Sequence, residues 1–190
     1  MLNSLKKAFL VLLEKAWCYM YQKHERRVYE MSATDELATF GKVDSVDFAI
    51  YLNKKARELG KNVNVTKIQK WLYICYGLYF AAYNEQLLKE RPKAWDYGPA
   101  FPRVHKKQKR NNDSLDNLQI NIPLEELEKY NALILATLES FGDWTASELV
   151  AWTHEKEKAW HKTFNLLDAK YAPMDNNDII LDFRGLLSNG

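Results

Sequence analysis

The side chains that could do chemistry in this chain are scattered. His154-Glu155 opens like the zinc-protease string H-E-x-x-H, but Lys158 stands where the second imidazole must reach the metal. His161 comes seven residues after His154, and two imidazoles alone fall short of the roughly four ligands a zinc site takes. Adjacent Glu125 and Glu126 point to different helix sides, the wrong arrangement for a shared acid/base pair. No G-x-S-x-G or S-x-x-K string marks a nucleophile, and no glycine-rich string marks a phosphate cradle. The residues therefore predict no catalytic set, no metal and no cofactor, and His154 reads as a capping or partly buried hydrogen-bonding residue. The sharpest charge feature is Arg103, His105, Lys106, Lys107, Lys109 and Arg110, six basic-capable side chains in eight positions. Arg103, Lys106, Lys107, Lys109 and Arg110 are candidate contacts for nucleic acid or an acidic partner. A solvated helix face is the simpler reading, because the net charge of the whole chain is only +2.

Composition bounds what can position these residues. The chain has 190 residues, 47% hydrophobic and 27% charged, which suits one ordered domain, or one domain with an extension. Only 7 Gly and 5 Pro stand beside 13% aromatic residues, a balance that favours helices over turn-rich β architectures. Cys18 and Cys75 lie in no C-x-x-C pattern and read as buried thiols in a reducing, cytoplasmic setting. Lys6 and Lys7 precede the apolar run Ala8 to Leu13, but Glu14 and Lys15 end it too soon for an export signal. Leu5, Phe9, Leu12, Leu13, Ala16 and Met20 instead recur at helical spacing. They predict an amphipathic helix in an N-terminal extension over residues 1–42, available for a partner or for a homo-oligomer contact.

Across 43–190 the pattern predicts a compact, mainly α domain with irregular connections. Asp44 is placed to cap a helix carrying Phe48, Leu52, Ala56 and Leu59, with Gly60 at its end. Thr66 and Gln69 form a T-x-x-Q capping pattern before the most telling segment. From Trp71 to Asn84 there is no charged residue. Ile68, Trp71, Leu72, Cys75, Leu78 and Ala82 form one stripe, and Tyr73, Tyr76, Phe80 and Tyr83 a second. A helix apolar nearly all round, yet shorter than the ~20 residues that span a bilayer, is a central core helix. Gly77 within it implies a close neighbour, and the tyrosine face is expected to border a groove or interface. Pro102 can open a basic helix through Arg110. One long helix is predicted through Leu127, Tyr130, Ile134, Leu138 and Phe141 to a cap at Gly142, then a Thr145/Glu148 capping box, then a final helix from Asn177 toward Leu187 capped by Asp175. A short strand or hairpin is expected near Trp95.

The string TKIQKWLYICYGLYFAAYNEQLLKERPKAWDYGPAFPRVHK resembles the hallmark of the Panacea domain, the family of SocA-like antitoxins and GepA-like phage-associated proteins. Ile68, Gln69, Lys70, Trp71, Leu72 and Tyr73 stand for the family's first block, L-Q-K-L-L-Y. Ala94, Trp95, Tyr97, Gly98, Pro99, Pro102 and Val104 stand for its A-W-x-Y-G-P block, and Leu149, Thr153, His154 and Trp160 for a later one. Trp71, Ala100, His105 and Ala159 depart from the family's usual Leu, Val, aromatic and Pro.

The resemblance implies a non-enzymatic antitoxin of a bacterial or prophage toxin–antitoxin system, encoded beside a protein toxin and neutralising it by direct binding. For a SocA-like member it also implies delivery of the toxin to an ATP-dependent protease. Gln69, Tyr73, Tyr76, Trp95, Tyr97, His154 and Trp160 are the expected partner-binding residues, since aromatic rings give large contact area with few rotamers to freeze. A nucleic-acid-binding regulator using residues 103–110 is the alternative.

Overall fold

A helix with apolar residues on every side must be surrounded, and the architecture follows from how that is done. The computed structural model describes residues 43–188; the expected N-terminal helix and Cys18 lie outside them. In chain order the elements are α1 (Ser45–Glu58), α2 (Val65–Tyr83), the strands β1 (Lys93–Trp95) and β2 (Gly98–Ala100), α3 (Pro102–Arg110), α4 (Leu124–Glu128), α5 (Asn131–Phe141), α6 (Ala146–Thr153), α7 (Ala159–His161) and α8 (Asn176–Ser188). A π-helical turn, Lys162–Leu166, continues α7. The fold is mainly α, and the antiparallel pair β1–β2 is the hairpin expected near Trp95. In α2 every residue from Lys67 to Phe80 is buried. Helices α1, α3, α5, α6 and α8 and strand β2 all pack on it.

Local signals set most helix ends. The Asp44 carboxylate accepts from the Val46 amide at 2.9 Å, and that of Asp175 from the Asn177 amide at 2.8 Å. Thr145 and Glu148 form the reciprocal capping box. Helix α2 differs from expectation: Asn64 caps it, its side chain accepting from the Lys67 amide at 2.9 Å. Thr66 therefore sits inside the first turn, and Gln69 is released to point inward. The expected long helix through 127–141 is also broken. Lys129 and Tyr130 interrupt it, and the break turns the Tyr130 ring into the core, edge-on to Phe48 at 5.7 Å and Tyr79 at 5.8 Å. Gly142 ends α5 as expected, but in right-handed geometry with φ −63°. The open carbonyls there are closed by α2 side chains instead. Lys67 Nζ donates to Gly142 O at 2.8 Å, and Trp71 Nε1 donates to Phe141 O at 3.1 Å. A cation at a helix C-terminus also meets the negative end of the helix dipole.

Helix α8 closes the other side of α2. The contact depends on Gly77, where a Cβ would lie 2.1 Å from the ring of Phe183. Phe183 is fully buried and has nowhere to go. Gly77→Ala gains about 1 kcal/mol of helix propensity but overpacks this contact, which costs roughly 1–3 kcal/mol or more. Net destabilisation of the variant is expected in denaturant unfolding, and equal or greater stability would show that α8 does not seat on Gly77.

Candidate functional site

Two consecutive side chains of α2 fasten β2 and the residue that follows it. Gln69 Oε1 accepts from the Phe101 amide at 2.7 Å, and its Nε2 donates to Gln108 Oε1 at 3.0 Å. Lys70 Nζ donates to the Pro99 carbonyl at 3.0 Å. Gly98, at φ +94°, lies so close to Lys70 Nζ and Thr153 Oγ1 that a Cβ would sit 2.7 Å from each. Positive φ and the missing side chain are both required there. The far side of the hairpin is held by Trp160, whose Nε1 donates to the Trp95 carbonyl at 2.9 Å. The Trp160 ring is stacked between His154, at 3.6 Å and 4°, and Phe164, at 4.7 Å and 18°. The outer edge of β1 is paired as well: the Ala94 amide donates to Ala172 O at 3.0 Å and the Tyr171 amide to Ala94 O at 2.7 Å.

The expected site residues fall into two groups. Trp95, Tyr97, His154 and Trp160 come together around the hairpin, with Tyr97 at its tip, 77% exposed, and Trp160 buried behind it. Gln69, Tyr73 and Tyr76 are buried beneath. The tyrosine face borders no groove at those two positions, because α8 covers them. Tyr73 packs edge-on to Phe183 at 5.4 Å and its hydroxyl donates to Asp182 Oδ2 at 3.4 Å. The Tyr76 hydroxyl donates to Asn176 Oδ1 at 2.9 Å. These three support the surface rather than form it. Sequence reasoning missed Tyr171, which lies 6.2 Å from the Trp95 ring and donates its hydroxyl to Asp96 at 2.7 Å. No local string marks it, since the chain returns to β1 only after some seventy residues.

The basic residues of α3 form an exposed face beside the hairpin. Arg103 pairs with Asp44 at 2.7 Å and Lys109 with Asp113 at 2.8 Å. His105 turns toward the hairpin, edge-on to Trp95 at 5.1 Å.

Buried charge is concentrated behind the hairpin. Lys70 is enclosed without a carboxylate partner among the described residues, and burial pulls its ammonium down to about 7. His154 is held near 4 by burial and by the neighbouring Lys70 charge. Its backbone amide ends α6, but its buried Nε2 has no hydrogen-bond partner among the described residues, so the ring is held by stacking and not by the polar contact expected of it. Asp182 is raised to about 6 by burial, against the opposing pull of the Ala159 amide and of Lys158 and Lys162. The Cys75 thiol lies buried against Thr137 and is pushed up to about 12, which leaves it protonated and unreactive at neutral pH. Among the described residues no three His, Cys, Asp or Glu side chains are grouped to hold a metal ion, and no helix is long and apolar enough to cross a membrane.

Residues 68–161 match the family model described as antitoxin SocA-like, Panacea domain. The chain carries a Panacea domain. No curated protein and no solved structure matches it. The matched stretch of the Panacea domain begins where α2 fastens the hairpin and ends beside Trp160, so it contains all three blocks that meet there. An antitoxin-like family points to a non-enzymatic role for this assembly. Helix α8, which seals the tyrosine face, lies outside the matched stretch.

Lys70 gives the Panacea domain a pH signature. Its folded pKa lies below the unfolded value, so the unfolded chain holds more protons above pH 7 and stability rises with pH. Between pH 7 and 8.5 the gain is roughly 1.5 kcal/mol, in a window below most thiol and tyrosine ionisation of the unfolded chain. Chemical denaturation at the two pH values should show this rise in the wild type and not in Lys70→Met. A wild type with the same stability at both would mean that Lys70 is not held as a desolvated cation.

Proposed function

We propose that this chain is the antitoxin of a bacterial or prophage toxin–antitoxin system and neutralises a cognate protein toxin by direct binding at the hairpin. The observation that supports this most is the convergence of the three family blocks on one rigid, aromatic projection. Tyr97 stands clear at the tip, and the rings of Trp95 and Tyr171 meet edge-on on the same hairpin assembly. Aromatic side chains fixed from behind carry most of the binding energy at protein interfaces, because little entropy remains to be lost when they dock. Delivery of the captured toxin to an ATP-dependent protease belongs to the same reading. It has its own readout, the half-life of the toxin in cells with and without the protease.

The test is co-expression with the protein encoded beside this chain's gene. Growth arrest by that protein should be relieved by the wild type, and the two should purify as a complex. Tyr97→Ala should weaken the complex by tenfold or more, about 1.4 kcal/mol, and leave the thermal unfolding midpoint unchanged, since the ring is exposed. A neighbouring product that neither arrests growth nor binds this chain would refute the proposal.

A further inference from the structure

Helix α3 presents more charge than the fold uses. Val104 and Gln108 face inward, and Gln108 is bonded to Gln69. The side chain that holds Phe101 thus also fixes how α3 is rotated. Arg103 and Lys109 are occupied by Asp44 and Asp113. Lys106, Lys107 and Arg110 are exposed and make no ion pair with any described residue. They lie at i, i+1 and i+4, close enough to act on one bound segment. Through His105, whose ring meets Trp95, this cationic face runs directly into the aromatic hairpin.

The chemistry of what would cover it follows from the charge balance. Residues 43–188 carry as many acidic as basic side chains, so the three cations create a local field and not the broad positive potential that tracks a phosphate backbone. Asp44 and Asp113 flank the same helix and would face phosphates unfavourably. An apolar, aromatic centre beside a charged margin is instead the anatomy of a protein interface. Charges on such a margin act chiefly by steering encounter.

We infer that Lys106, Lys107 and Arg110 receive an acidic segment of the protein partner whose apolar residues seat on Trp95, Tyr97 and Tyr171. This rests on the antitoxin reading. It adds the chemical character of the partner and a division of labour, with α3 setting the rate of association and the hairpin setting the lifetime of the complex.

Association of the full chain with the purified product of the adjacent toxin gene, followed from low to physiological ionic strength, tests it. The triple variant Lys106→Glu, Lys107→Glu, Arg110→Glu should associate roughly tenfold more slowly at low salt, lose the salt dependence of the wild type, and dissociate at nearly the same rate. Replacement of the three by Gln should fall between. Tyr97→Ala should do the reverse, speeding dissociation with association little changed. All three sites are exposed, so circular dichroism of the variants should match that of the wild type. If the charge-reversed chain associates like the wild type while Tyr97→Ala still weakens the complex, the inference fails and the antitoxin reading stands. If no complex forms with the wild-type chain, both fail. If a short DNA duplex binds the wild type in a salt-dependent way that the triple variant loses, and association with the toxin is unaffected, the face serves nucleic acid and the inference is overturned.

Discussion

The outer edge of a two-stranded hairpin can enter a protein interior only where something other than a further strand satisfies the amides and carbonyls along it. Gln69 and Lys70 supply that substitute. One side-chain amide takes up the Phe101 N–H and the next side chain meets the Pro99 carbonyl, so the buried stretch Gly98–Phe101 is anchored to the central helix. The rest of the molecule is arranged around this contact. The hairpin lies where these bonds place it, α3 is rotated by the same glutamine through Gln108, and Thr153 and His154 close over the lysine from α6.

The central helix does similar work at its other contacts. Lys67 and Trp71 finish α5 by binding its last carbonyls, and Tyr73 and Tyr76 bind carboxylate and amide oxygens of α8. An apolar helix with polar tips at chosen points can be buried on all sides and still fix the register of each neighbour. Lys70 is the costly member of the set. Its ammonium is desolvated without a counter-charge among the described residues, and burial, helped by the Lys70 charge, holds His154 neutral against Trp160. The stack of His154, Trp160 and Phe164 is thus a packing device, and its histidine is not poised for proton transfer at neutral pH.

Much of this was legible in the residues. The central helix, the close approach at Gly77, the caps at Asp44, Thr145 and Asp175 and the hairpin near Trp95 all follow from local pattern. What was misread has a physical reason in each case. Thr66 and Gln69 satisfy the spacing of a capping box, but Asn64 caps equally well two residues earlier, and Gln69 gains a buried amide by turning inward. The 127–141 stripe is continuous in the residues and broken in space, because seating Tyr130 between Phe48 and Tyr79 outweighs the helical bonds lost at Lys129. Tyrosines on the second face looked like interface rings, since the sequence does not reveal that α8, a hundred residues later, would cover them. Of the candidate site, the motif blocks named residues that meet at the hairpin, while Tyr171 could be found only from the pairing of its backbone with β1.

The hairpin is held by atoms that are not its own tip. Lys70 and Trp160 bind backbone carbonyls, Ala172 and Tyr171 pair with Ala94, and Gly98 is required for what it lacks. The Tyr97 side chain takes part in none of these bonds. A frame built in this way tolerates exchange of the residue it displays, because nothing inside depends on what that residue is. The displayed residue can therefore change one substitution at a time without the lineage passing through an unfolded intermediate, and one scaffold can carry a succession of different tips.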